Sequence, residues 1–323
     1  MKKFGMLSYH DHAGFNIGDN IQSLAAKQYI PRVDELVLRD ELSKVKIKDL
    51  NVIMNGWYTH YPETWLPNDN LNPFFVSFHL NSEIKDRFLG QKEIVDYLKK
   101  HQPIGCRDRN TVISLEEYGI EAYYTGCLTL TLDSYAVDEC ERGDDIYIVD
   151  PFFNFPDKRL VFRNLKSFVR STSEGKLFSL GKRDKYLNKM FSKSLLKNAK
   201  YETHVFYDNG WTEERKFSEA EKLLRKYAKA KLVITSRIHC ALPCLAMGTP
   251  VLFLNAFDNE IDTCRFDGLL EFFNVVNIDS KLNISAPNGI SFPYDGGVIL
   301  RNNESHIPQA EKLKEICKSV FNQ

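Results

Sequence analysis

Two strongly apolar runs, 232–235 and 251–254, bracket a segment that places Ser236, Arg237 and His239 within four positions. Hydroxyl, guanidinium and imidazole groups are costly to bury without partners, so packing alone does not account for the trio. Arg presents a planar fork matched to carboxylate and phosphate, and His changes protonation near neutral pH. Together they suit capture of an anion with a proton transfer beside it. The elements that must position them are a buried strand over 232–235, an apolar helix after His239 that stops at Gly248, Thr249 and Pro250, and a second strand over 251–254. In such a unit the trio sits at the carboxyl end of the first strand, where open parallel sheets bind ligands. A helix N-terminus at that place favours negative charge.

Two more groups have the same placement. Arg107 and Arg109 lie between a short strand over 103–106 and a helix over 111–118. They read either as an anion clamp or as an Arg–Asp pair on a solvated helix start. Gly14, Asn16, Gly18 and Asp19 form a loop after a first strand over 4–9, and its glycines permit close backbone approach. Asp19 either faces a ligand or N-caps a helix over 20–29. The loop departs from Gly-x-Gly-x-x-Gly, so no dinucleotide cofactor is inferred. His10 and His12 flank it, and the other histidines have no ligand spacing. The chain has no P-loop, no Ser-His-Asp context and no clustered carboxylates. Cys240 and Cys244 share a helix face and read as buried thiols rather than metal ligands. The seven cysteines are odd in number and scattered, which does not suggest a disulfide framework. Neither a metal nor a cofactor is expected. Trp57, Tyr58, Tyr61 and Trp65 either stack on a sugar or pack one another.

Around these groups, short apolar runs alternate with helical patterns, as in an α/β fold. Strands are expected over 34–39, 52–56, 74–78, 122–125, 145–149 and 203–207. Helices are expected over 82–100, 158–181, 185–197, 213–229 and 305–321. The acidic stretch 133–144 reads as a linker. The 323 residues suit two domains, assigned as 1–135 and 136–304, with a C-terminal helix in 305–323 packing back on the first. Strand ends facing one another across a cleft are a common setting for a small-molecule site. Lys plus Arg equals Asp plus Glu at 43 each, so no global field argues for nucleic acid. No apolar run approaches the ~20 residues that span a bilayer, and the apolar stretch after Lys2 and Lys3 is too short for a signal peptide. A cytoplasmic location is expected.

The segments Gly14-x-Asn16-x-Gly18-Asp19, Cys106-Arg107-Asp108 and Thr235-Ser236-Arg237-x-His239 with Gly248-Thr249-Pro250 occur in an order and at spacings that resemble the polysaccharide pyruvyltransferase family. The resemblance spans about residues 5–256 and is strongest over 232–254. It implies two Rossmann-like domains in a GT-B-like arrangement. It also implies transfer of a pyruvyl group from phosphoenolpyruvate to a hexose of a capsule, exopolysaccharide or cell-wall precursor as a cyclic ketal. On that basis Arg107, Arg109, Ser236, Arg237, Asn16 and Gly18 are expected to bind substrate. His239 is expected to act as acid or phosphate ligand, and Asp19 as base. The acceptor would be a glycan or a lipid-linked sugar, which would bring the protein to the inner membrane surface. The rival readings are a GT-B glycosyltransferase using a nucleotide sugar and a glycan-binding member without turnover.

Overall fold

The computed structural model describes residues 2–321 apart from 11–13, 59–60, 154, 157, 163, 174, 208–209, 257–263, 288 and 300. It is a mixed α/β structure with two separate parallel sheets. In the first, β1 (Lys3–Ser8) lies between β3 (Glu35–Leu38) and β4 (Leu50–Ile53), and β6 (Leu71–Phe74) adds beyond β4. The chain past β6 bonds onward to β8 (Ile104–Cys106), which pairs in parallel with β9 (Ala122–Tyr124). In the second sheet β10 (Ile146–Val149) lies between β11 (Lys200–Glu202) and β13 (Leu232–Thr235). Then follow β14 (Val251–Asn255), β15 (Asn274–Ile278) and the antiparallel β16 (Ile284–Ser285). In each sheet the first strand in sequence has the second on one side and the third on the other. In open α/β sheets ligands bind outside the strand carboxyl ends at such a reversal.

Strand alternation explains how the sheets join. Phe4 and Met6 of β1, Tyr147 and Val149 of β10, Val233 of β13 and Val251 and Phe253 of β14 all enter one apolar core. Leu7 of β1 points into a second core, and Ile148, Ile234, Leu252 and Leu254 point into a third. The shared core is filled by α1 (Ile17–Lys27), α9 (Glu213–Ala228) and α10 (Ile238–Ala246), which pack against one another. Ile17, Ile21, Leu24 and Ala25 recur at helical spacing on the buried side of α1. The C-terminal helix α11 (Ile307–Phe321) lies on the 3-10 segment Leu128–Tyr135. Gln309 Nε2 donates to Thr125 O at 2.5 Å, and Lys314 pairs with Asp133 at 2.8 Å.

Several elements differ from the sequence expectation. The expected helix 82–100 is two helices, α2 (Lys85–Leu89) and α3 (Lys92–Lys100), parted at Gly90, a poor helix former. The strand expected at 74–78 is β6 at 71–74, and 75–78 bridges to β8 instead. The region 158–181 holds two short helices, α5 (Lys158–Val161) and α6 (Leu165–Ser173), and a 3-10 turn. Strands β15 and β16 were not anticipated. No helix among the described residues is long and apolar enough to cross a membrane.

Tyr58 and Trp65 are fully buried, so the sugar-stacking reading does not hold for these two. Trp65 meets Phe88 at 4.7 Å and Tyr58 at 5.9 Å between ring centroids. Trp65→Ala is expected to cost about 3–5 kcal/mol, read as a lower urea midpoint.

Candidate active site

The site forms where the first turns of α1 and α10 touch. A two-stranded ladder fixes α1 on the second sheet's side: β2 (Phe15–Asn16) pairs antiparallel with β12 (Val205–Phe206), and Ile17 N donates to His204 O at 2.8 Å. Asn16 is the N-cap, its Oδ1 accepting from Gly18 N at 3.1 Å. The cap is therefore Asn16 and not Asp19, and the helix begins three residues before the expected start. A Cβ on Gly18 would stand 3.2 Å from His239 Cβ and 3.1 Å from Asn16 Oδ1. Only glycine lets the two turns come this close without a shift. Asp19, half-buried in the third helical position, accepts from Gln22 Nε2 at 3.1 Å. Burial raises its carboxyl above the usual range, and Arg39, Arg237 and Arg107 act against that rise.

At the start of α10, Arg237 is the N-cap residue, and its backbone N–H donates to Thr235 Oγ1 at 2.9 Å. Its side chain donates from Nε to Asp150 Oδ2 at 3.1 Å and lies 4.2 Å from the centroid of the Phe153 ring. Asp150 Oδ2 also accepts from His204 N at 2.9 Å. Burial works to raise the Asp150 carboxyl, but Arg237 and His204 hold it below its usual range. Ser236 is fully buried, and its Oγ accepts from Phe152 N at 2.8 Å. Asp150 and Phe152 have φ of +39° and +52°, unusual for residues with side chains. Ser236 thus holds the strained turn that presents Asp150 to Arg237. His239 is half-buried, but its Nε2 atom is buried and has no hydrogen-bond partner among the described residues. Burial, then Arg107, His204 and Arg265, push its pKa well below the ordinary value, so the free protein holds it neutral.

Arg107 follows β8 and is buried, with Nε unbonded among the described residues and 3.9 Å from Asp108 Oδ2. Asp108 N-caps α4 (Arg109–Glu116), its Oδ1 accepting from Thr111 N and Thr111 Oγ1 at 2.8 Å each. Its Oδ2 lies 2.5 Å from His79 Nδ1. Burial and Arg107, against Asp108, lower the His79 pKa to about 4, so a neutral imidazole donates to an ionised carboxylate. Arg109, two residues on, diverges from the cluster. It pairs with Glu271 at 2.9 Å in exposed surroundings and lies over Tyr124.

The structure therefore brings Gly18, Asp19, Arg107, Arg237 and His239 together, with Asn16 and Ser236 holding their backbones, and leaves Arg109 outside. His10 lies 3.3 Å from Glu41, while His12 and His60 lie outside the described residues. Sequence reasoning missed Arg39, His79 and Asp150, and gave Asp108, though part of the Cys106-Arg107-Asp108 segment, no role of its own. Arg39 is buried, pairs with Asp40 at 2.8 Å and lies 5.2 Å from both the Tyr9 and Trp57 ring centroids. Each missed residue stands one or two positions past an apolar strand or its extension, the signal that singled out Ser236 and Arg237. Cys240 and Cys244 are buried in α10, and no cluster able to hold a metal occurs among the described residues.

Half-buried Arg237 and His239, with buried Arg107 nearby, gather beside two touching helix N-termini, a setting that favours negative charge. The chain belongs to the polysaccharide pyruvyl transferase family, whose model matches residues 16–258, from the cap of α1 to just past β14. Family membership makes it a transferase with a polysaccharide acceptor implied by the family name. No curated protein matches the chain. Among solved structures it is similar to an uncharacterised protein from Klebsiella pneumoniae subsp. pneumoniae NTUH-K2044, at 11% identity and a TM-score of 0.44, over 83% of this chain and 88% of that one.

Two outcomes follow from this geometry. Gly18→Ala is expected to force α1 and α10 apart by a few tenths of an ångström, seen as reduced turnover with a lowered melting temperature. His79 is held neutral, so below its unfolded pKa of about 6.5 the unfolded chain binds a proton that the folded one refuses. Its contribution is present above about pH 6.5 and is lost as pH falls towards about 4, by up to about 1.4 kcal/mol per pH unit. His79→Gln is expected to flatten that part of the urea-stability profile relative to wild type.

Proposed function

We propose that the protein transfers the pyruvyl group of phosphoenolpyruvate to two hydroxyls of a hexose in a surface-polysaccharide or cell-wall precursor, forming a cyclic ketal. The two sheets are read as Rossmann-like halves of a GT-B-like enzyme of the cytoplasm. The halves are 1–135 and 136–304, with 305–323 returning to the first. The observation that carries the reading is the pair of buried, unbonded nitrogens, Arg107 Nε and His239 Nε2, beside Asp19 and Arg237. A small donor with a carboxylate and a phosphate on the same carbon suits such a cluster.

In the proposed reaction Arg107 and Arg237 hold the two anionic groups. The donor's negative charge raises the depressed pKa of His239, which takes up a proton. His239 gives that proton to the methylene carbon as the first hydroxyl, deprotonated by Asp19, bonds to the central carbon. The C–O bond to phosphate breaks and phosphate leaves. The second hydroxyl then bonds to the same carbon. Of the two hydroxyl protons, one balances the new methyl group and one departs as hydrogen phosphate. Asp19 suits the base role because burial raises its pKa above that of a free carboxylate.

Incubation with phosphoenolpyruvate and candidate glycans, followed by phosphate assay and mass spectrometry, tests the reaction. A gain of one pyruvyl ketal per phosphate released is expected. Stabilisation by nucleotide sugars and not by phosphoenolpyruvate in a thermal-shift panel would point instead to glycosyl transfer. Arg237→Ala is expected to weaken donor binding by about 2–4 kcal/mol, the loss of a desolvated charge-assisted contact. Unchanged affinity in a folded variant counts against its role. His239→Gln, which donates a hydrogen bond but no proton, is expected to lower turnover by roughly 10²–10⁴. In wild type, calorimetry in buffers of different ionisation enthalpy should record proton uptake on donor binding. His239→Gln should lose that uptake.

A further inference from the structure

We propose that the helical crossover between β10 and β11 is a docking surface for an anionic lipid bilayer. The chain is neutral overall, yet residues 151–199 hold twelve Lys or Arg against three Asp or Glu, which leaves 31 against 40 in the remainder. Apolar exposure concentrates in the same segment. Leu165 is 79% exposed, Phe162 and Val169 are 59% exposed each, and Phe168 is exposed beside them. Leu165, Phe168 and Val169 have the spacing that shares one helix face. The Phe162 ring stacks on Phe168 with centroids 5.8 Å apart, which joins α5 to the ridge. Single exposed apolar residues are ordinary, whereas a contiguous ridge of them marks a contact surface.

The ridge rests on a firm base. Helix α7 (Lys182–Met190) buries Tyr186, Leu187 and Met190 in the core outside the second sheet and turns Lys185 and Lys189 to solvent. Lys158 of α5 pairs with Asp184 of α7 at 2.5 Å, and α5 packs on α6, which links the apolar ridge to the lysine-rich helix. An amphipathic helix of this make-up lies in a membrane interface with its apolar side among acyl chains and its cations at the phosphates. Charge selects the occupant. A second copy docked through the same face would bring the same basic surface and be repelled, and a soluble polyanion would leave the ridge in water. The proposal does not depend on the identity of the donor.

The test is sedimentation of the full chain with vesicles of phosphatidylglycerol and phosphatidylethanolamine, and with vesicles of phosphatidylcholine alone. Binding to the first, and not to the second, is expected. At least about tenfold weakening is expected both in Phe162→Ser with Leu165→Ser and in Lys185→Glu with Lys189→Glu. All four positions are exposed, and circular dichroism with the melting temperature checks that the fold is kept. Failure of the wild type to bind the anionic vesicles overturns the proposal. So does undiminished binding by the serine variant, which would reduce the contact to charge alone. A lipid-free dimer that the serine substitutions dissociate would assign the ridge to a second copy and overturn it as well.

Discussion

The contact between the first turns of α1 and α10, with no side chain between them, is the constraint on which the site depends. It sets the positive ends of two helix dipoles together and adds a buried guanidinium, Arg107, to the same region. Such an arrangement is unfavourable by itself. It is held by the apolar packing of α1 against α9 and α10 and by the ladder of β2 with β12, which anchors the start of α1 across the seam.

Carboxylates then offset the positive charge one at a time. Asp40 takes Arg39 and Asp150 takes Arg237, while Asp108 accepts from the neutral His79 and closes the N-terminus of α4. Asp19 is drawn upon by three arginines at once and, among the described residues, its side chain accepts a hydrogen bond from Gln22 alone. The imbalance falls on Arg107 and His239, whose unbonded nitrogens mark where a ligand's negative charge gains most. The neutral state of His239 belongs to the same balance, because burial and the nearby Arg107 both oppose a proton there.

Much of this was legible in the sequence where local signals and tertiary demands agree. The unit from β13 through α10 to β14 was readable because its strands are apolar throughout and its turn carries polar residues that packing cannot explain. The caps were harder. Asn16 and Asp19 are both good N-caps, and the choice is made by the pairing of Phe15 and Asn16 with a strand almost 200 residues away. Arg107 and Arg109 look alike in sequence, but the start of α4 sends one inward and the other to Glu271. Tyr58 and Trp65 carry no local mark separating a core ring from a sugar platform. The lesson of Arg39, His79 and Asp150 is different. Their positions past apolar strands were visible, yet Arg39 was read as the end of a strand, His79 as a histidine without ligand spacing, and Asp150 was not singled out.

The shared core has a consequence for how the chain is made. Residues 3–27 supply β1 and α1, but the helices that cover the buried side of α1 lie at 213–228 and 238–246. During synthesis from the N-terminus, Ile17, Ile21 and Leu24 emerge long before their partners exist. Until α9 and α10 arrive, that stripe is an adhesive surface on a half-built protein, open to chaperones or to the same stripe on a neighbouring nascent chain. The helix that sets the site is thus among the first elements made and among the last to be covered.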